Sequence, residues 1–202
     1  MKLILDLGSG NSCNNDKKIV DKMLSSISWI DRHKHQIIIK WQLFKSAPPN
    51  IPLDPYIFDY AYLTALEMGY RTTASVFDEE SLKLLSTYKT PFIKIACRDE
   101  LYKLSRQIKT PVYISVDHGE KIRKRGVYLC CVPKYPATIR EYESEFNTNQ
   151  LSEAISDHTI GWDLMNKYKP NILEKHFVHE RNKNNPDAGV FAVTADELKE
   201  IM

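Results

Sequence analysis

Two triplets hold the residue types best suited to chemistry in this 202-residue chain: Ser156-Asp157-His158, closing one short apolar run, and Glu174-Lys175-His176, closing the next. If both runs are parallel strands, the triplets emerge side by side at C-terminal strand ends, where α/β enzymes keep their reacting groups. The two imidazoles then converge, each beside a carboxylate (Asp157 or Glu174) placed to orient the ring from outside. Two histidine ligands with the remaining positions open to water or substrate oxygens suit a catalytic divalent ion better than a closed structural site. A single imidazole near an apolar run is more often a hydrogen-bonded structural group, and His33, His35, His118 and His179 are read that way.

Other apolar runs also end on polar groups. Asp6, Lys40, Ser75, Lys94, Ser115 and Tyr135 close further candidate strands and would face the same mouth. Each lysine taken alone reads as an ordinary snorkelling residue. Two lysines ending separate strands, with the hydroxyls of Ser75 and Ser115, instead suit a phosphate or carboxylate, since lysine offers a compact charge and serine a directed donor. The residues alone therefore point to metal-assisted chemistry on a phosphorylated or carboxylated substrate.

The elements that must position these groups follow from periodicity. Strands are expected over residues 3–7, 36–41, 70–76, 91–96, 111–116, 126–131, 153–156 and 171–175. Helices are expected over residues 15–30 (capped by Asn15 or Asp16), 56–68, 78–86, 99–107, 138–151 and 159–167, with a last short one opened by Thr194 and Glu197. Residues 117–125 leave room for two helical turns at most, so one outer helix is reduced or missing. Eight βα units of about 25 residues each predict a compact (β/α)8 TIM barrel, one domain over 1–202. Periodicity alone also allows an open doubly wound sheet, but Gly8-Ser9-Gly10 lacks the third glycine of a dinucleotide fingerprint.

Composition narrows the class. With 43% hydrophobic residues the chain can bury one core, and its net charge of +2 is spread without a basic block, against a nucleic-acid partner. Cys13, Cys97, Cys130 and Cys131 show no CxxC pairing and read as reduced thiols. The absence of any long apolar run predicts a soluble, cytoplasmic protein with no membrane partner.

Ile155-Ser156-Asp157-His158-Thr159-Ile160-Gly161, Leu173-Glu174-Lys175-His176-Phe177, Arg181-Asn182 and Pro186-Asp187 together resemble the signature of the N-acetylneuraminate (sialic acid) synthase family. Phe77-Asp78-Glu79-Glu80-Ser81, Phe92-Ile93-Lys94-Ile95-Ala96, Tyr135-Pro136 and Lys40 with Gln42 match in the same order, specifically from residue 70 onward and weakly before it. The resemblance implies a barrel that condenses phosphoenolpyruvate with an N-acetylated amino sugar, aided by Mn2+ or another divalent ion such as Mg2+ or Co2+. It implies that His158 and His176 hold the metal and that Lys40, Ser75, Lys94, Ser115, Tyr135 and Ser156 surround phosphoenolpyruvate, with Gln42 also in the substrate site. Asp6 then manages the attacking water, with Glu174 and Asp187 assisting in proton transfer and sugar binding; a homodimer is compatible with this reading.

The chain departs from that pattern. Asp6 stands where glutamate is usual, Cys97 where serine is, Arg98 where glycine is, Pro133 where asparagine is, and Asp117-His118 replaces a Thr-Gly pair. The family's C-terminal antifreeze-like domain is expected to be absent. Three functions stay open: a synthase making a sialic-acid-like sugar acid, a degenerate barrel that binds a phosphorylated or acidic sugar without turnover, and an unrelated metal-dependent lyase or aldolase.

Overall fold

The computed structural model describes residues 1–31, 37–45, 48, 50–123, 126–182 and 184–202; His33, His35 and the expected strand start at Gln36 lie outside the described residues. Eight parallel strands pair in sequence order and close on themselves: β1 (Lys2–Asp6), β2 (Ile37–Leu43), β3 (Arg71–Val76), β4 (Ile93–Ile95), β5 (Val112–Val116), β6 (Val127–Cys131), β7 (Ala154–Asp157) and β8 (Ile172–His176). Closure comes from β1 pairing with both β2 and β8, Asp6 lying in register with Lys40 on one side and His176 on the other. The barrel is therefore closed, and the open sheet is excluded.

Alternation along each strand sorts side chains into two shells. Ile4, Ile38, Phe92, Tyr113, Leu129 and Ala154 point inward and plug the lower half of the barrel. Phe92 stacks on Tyr113 with centroids 3.9 Å apart. Two residues further along the strands the inward layer turns polar: Asp6, Lys40, Lys94, Ser115 and Ser156 are all buried there. Outward residues such as Leu3, Leu5, Ile39, Trp41, Ala74, Val76 and Leu173 form the main core under the helices.

Those helices are α1 (Gly10–Cys13), α2 (Lys17–Ile30), α3 (Pro55–Glu67), α4 (Glu79–Leu85), α5 (Ile139–Glu145), α6 (Thr148–Glu153), α7 (Asp163–Tyr168) and α8 (Ala195–Leu198). Asp16, Asp54 and Asp78 cap α2, α3 and α4, each side chain accepting from a first-turn N–H. Four helical expectations needed correction. An extra turn, α1, precedes α2, and Asn14 and Asn15 at φ 51° separate the two. Residues 99–107 wind as a 3₁₀-helix. The helix expected over 138–151 is two helices, because Phe146 turns extended and Asn147 opens a new capping box with Gln150. The helix expected from Thr159 starts only at Asp163, after Gly161 at φ 63°. Between β5 and β6 the described residues hold a single 3₁₀ turn, Gly119–Lys121, and no longer helix. Among the described residues no helix is long and apolar enough to cross a membrane.

One buried ion pair ties the last strands to the outer layer. Asp157 and Lys175 are in register on β7 and β8, both 0% exposed, with Lys175 Nζ donating to Asp157 Oδ2 at 3.0 Å and to the Thr159 carbonyl at 2.6 Å. Burial lowers the Lys175 pKa, with Asp157 opposing that shift. Removing one partner of a dry pair strands the other charge. Asp157→Ala is expected to lower unfolding free energy by about 3 to 5 kcal/mol, read from urea melts, whereas a paired Asp157→Leu, Lys175→Met variant should recover much of that loss.

Candidate active site

Period-two alternation decides which half of each triplet reaches the mouth. Ser156, His158, Glu174 and His176 face inward, while Asp157 and Lys175 face out. Asp157 therefore does not orient His158: it accepts from Thr159 N and Thr159 Oγ1, both at 2.7 Å, and from Lys175. Glu174 does not orient an imidazole either, because its Oε1 accepts from Ser156 Oγ at 2.9 Å and lies 3.5 Å from Lys94 Nζ and 3.8 Å from Lys40 Nζ. The ring partners are other groups. His158 Nδ1 lies 2.7 Å from the Val132 carbonyl, which can only accept, so Nδ1 carries the hydrogen and Nε2 keeps its lone pair. His176 Nε2 is 3.6 Å from Asp6 Oδ2, and His176 Nδ1 is buried without a partner.

The remaining strand ends complete a cavity of about 280 Å³. Lys40 Nζ donates to Asp6 Oδ2 at 2.5 Å and to Ser75 Oγ at 3.0 Å; Gln42 Nε2 donates to the same Asp6 oxygen at 3.0 Å. Gly8 N–H closes the other Asp6 oxygen, Oδ1, at 3.0 Å. Lys94 Nζ donates to Ser115 Oγ at 2.7 Å. Both lysines are 2% exposed, so these are not snorkelling residues. Tyr135 leans over the mouth, its ring centroid 4.1 Å from that of His158, 5.9 Å from that of His176 and 4.9 Å from that of Phe191.

Electrostatics follow from this packing. Burial alone would raise the Asp6 pKa, but the charge and hydrogen bond of Lys40, the charge of His176 and the Gly8 N–H hold its carboxyl well below the usual range. Lys40 is held above its ordinary value by Asp6 and Glu174 against burial. His158 is pushed far below the usual imidazole value by burial, and next by His176.

The structure thus gathers Asp6, Lys40, Gln42, Ser75, Lys94, Ser115, Tyr135, Ser156, His158, Glu174 and His176 around one cavity. Asp187 is not brought to its lining: Oδ2 accepts from Ser9 N at 3.0 Å, Ser9 Oγ at 2.8 Å and Ser12 Oγ at 3.3 Å. It pins the loop after β1, where Gly8 at φ 76° leaves no room for a Cβ beside that carboxylate. Phe77, Ala96, Cys97, Arg98, Cys131 and Pro133 also line the cavity. Cys131 was missed as a lining residue, although counting two from inward Leu129 on the same strand would have found it. The imidazole centroids of His158 and His176 are 5.7 Å apart. Among the described residues no group of three or more His, Cys, Asp or Glu side chains is assembled to hold a metal ion.

No protein-family model and no curated protein sequence matches the chain. Solved structures do. An N-acetylneuraminic acid (sialic acid) synthetase from Leptospira borgpetersenii serovar Hardjo-bovis, in complex with citrate, superposes with a TM-score of 0.75 at 18% identity, over 98% of this chain and 80% of that one. Spore coat polysaccharide biosynthesis protein E from Chromobacterium violaceum gives 0.74 at 15% identity, over 98% and 71%. A truncated 3-deoxy-D-arabino-heptulosonate 7-phosphate synthase from Thermotoga maritima gives 0.65 at 11%, over 99% and 83%. At these identities the likeness is one of fold.

The site makes a titration prediction. A histidine whose folded pKa is depressed binds its proton more readily when unfolded, so its contribution to stability is full above about pH 6.5 and is lost as pH falls below it. Nitrogen-resolved NMR should find His158 neutral in the Nδ1–H form at pH 5.5, while unfolding free energy declines from pH 6.5 downward. A cationic His158 signal at that pH would contradict the assignment.

Proposed function

We propose that this barrel joins phosphoenolpyruvate to an N-acetylated amino sugar to give a sialic-acid-like sugar acid. The observation that carries the reading is the meeting of Asp6, Lys40, Lys94 and Glu174 with three serine hydroxyls in one buried cavity at the C-terminal strand ends. Two ammonium groups on separate strands, each already donating to a serine, match a ligand with two anionic ends. Lys94 with Ser115 and Lys40 with Ser75 would take the phosphate and the carboxylate, by charge-assisted hydrogen bonds.

In the reaction the resemblance implies, the enol carbon attacks the sugar aldehyde carbon, water adds to the carbon left electron-poor, and phosphate leaves by C–O cleavage. The chain's carboxylates divide the proton work by their existing bonds. Both Asp6 oxygens are already engaged and its acidity is strong, which makes it a poor proton acceptor and a good anchor for Lys40 and Gln42. Glu174 lines the cavity and keeps Oε2 buried and unpartnered, so it is the better placed of the two to accept a proton from the attacking water. We therefore read Asp6 as a positioning residue and Glu174 as the base. Asp187 would hold the loop behind Asp6.

A divalent ion, Mn2+ or one like it, fits this donor set only as a two-nitrogen site: His158 through Nε2 and His176 through its ring, with water or substrate oxygens filling the rest. When bound, such an ion supplies Lewis-acid polarisation of a carbonyl oxygen. Binding without turnover is favoured by one feature: Cys97, Arg98 and Pro133 line the cavity where the resemblance implies a serine, a glycine and an asparagine.

The test is phosphate release from phosphoenolpyruvate with Mn2+ and a panel of N-acetylated sugars. Turnover with at least one sugar is expected, and Glu174→Gln should reduce kcat by about a hundredfold or more. Lys94→Ala should raise the KM for phosphoenolpyruvate by about tenfold to a hundredfold, the loss of one charge-assisted hydrogen bond. If Glu174→Gln keeps the parent rate while Asp6→Asn is dead, the two roles are reversed; if no sugar supports release, the binding reading takes its place.

A further inference from the structure

Two thiols in the cavity have no part in the reaction just described. Cys131 ends β6, is 2% exposed and points inward by alternation with Leu129. Cys97 follows β4 and is half-buried at the rim. Both line the same cavity, on either side of β5, the strand between theirs. The other cysteines are elsewhere. Cys13 in α1 donates to the Ser9 carbonyl, burial raising its pKa to about 11, and Cys130 faces the outer core, where burial raises it to about 12.

Their surroundings make the paired thiols unequal. Cys97 lies below the ordinary thiol value, chiefly through the Cys131 hydrogen bond and then the Lys94 charge and the Tyr102 hydroxyl, which outweigh burial and Asp117. Cys131 lies well above it, through the same hydrogen bond and through burial. The more acidic, more accessible thiol is the nucleophile, and the protonated neighbour is the resolving group.

From the shared cavity and the placement of the two thiols on either side of the end of β5, we propose that Cys97 and Cys131 are a peroxide-modified pair whose reversible disulfide closes the anion site. The Cys97 thiolate attacks hydrogen peroxide, the O–O bond breaks, and a sulfenic acid forms as hydroxide leaves and takes up a proton. The Cys131 sulfur then attacks the Cys97 sulfur, the S–O bond breaks, and the displaced hydroxide leaves as water with the Cys131 proton. In sum, two thiols and one peroxide give one disulfide and two waters, and a small dithiol returns the pair by exchange. The bond would cross the mouth beside Lys94 and Ser115, three residues before Cys97 and at the end of the intervening strand, the place assigned above to an anion. This second half of the proposal rests on that assignment; the disulfide itself does not.

The test treats the reduced, metal-free chain with stoichiometric hydrogen peroxide and maps its peptides by fragmentation mass spectrometry, then measures binding of inorganic phosphate before and after. The expected result is loss of two hydrogens, a Cys97–Cys131 link reversed by dithiothreitol, and phosphate binding about tenfold weaker in the oxidised form. Cys131→Ser should instead leave Cys97 as a sulfenic acid that dimedone traps, and phenylarsine oxide, which bridges adjacent thiols, should label the parent and neither Cys97→Ser nor Cys131→Ser. The proposal is overturned if Cys97 in the parent passes directly to sulfinic acid, or if the link involves Cys13 or Cys130. A mapped Cys97–Cys131 bond with undiminished phosphate binding would refute the closing role. If the reduced chain binds no phosphate at all, both the closing role and the anion assignment fail, while the mapping still decides the bond.

Discussion

Two ammonium groups and two carboxylates, each no more than 5% exposed, occupy the upper half of this barrel's interior. Moving any one of them out of water costs several kcal/mol, and only mutual pairing with complete hydrogen bonding offsets it. Lys40 Nζ has Asp6 and Ser75 within 3.0 Å, and Lys94 Nζ has Ser115 at 2.7 Å. Glu174 Oε1, between the lysines, lies 3.8 Å and 3.5 Å from them. Glu174 Oε2 and His176 Nδ1 are buried without a protein partner. A structure that tolerates such atoms at the centre of a cavity is poised to gain when a ligand supplies the missing partners.

The rest of the fold serves that cluster. An apolar plug of Ile4, Ile38, Phe92, Tyr113, Leu129 and Ala154 seals it from below and keeps its dielectric low. The outward Asp157–Lys175 pair holds β7 and β8 in the register that sets Ser156 against Glu174. Asp187, far along the chain, pins the loop after β1 through Ser9 and Ser12, which leaves the Gly8 N–H aimed at Asp6. Tyr135 and Phe191 wall the imidazoles.

Much of this was legible in the sequence because strands have a strict period. Apolar runs ending on Asp6, Lys40, Ser75, Lys94, Ser115 and His176 located both the strands and their open ends, and the short 117–125 interval pointed to the reduced outer helix, a single 3₁₀ turn among the described residues. Side-chain direction within a triplet was harder: adjacency in sequence made Asp157 look like a partner for His158, whereas in a strand adjacent residues face opposite ways. Helix breaks failed for a different reason. The break at Phe146 depends on that ring being buried and on Asn147 recapping the chain, both tertiary outcomes that override a continuous helical pattern. Cys131 escaped because a cysteine inside an apolar run looks like core until its parity is counted.

On the proposed function, the Asp6, Lys40, Lys94 and Glu174 cluster is a receptor for an anionic enol acid rather than a structural knot. Titration calorimetry of phosphoenolpyruvate into the reduced chain tests it most directly, with inorganic phosphate as competitor. Saturable binding of one molecule per chain, displaced by phosphate, is expected; a chain that stays folded yet shows no saturable binding at millimolar ligand would overturn the receptor role.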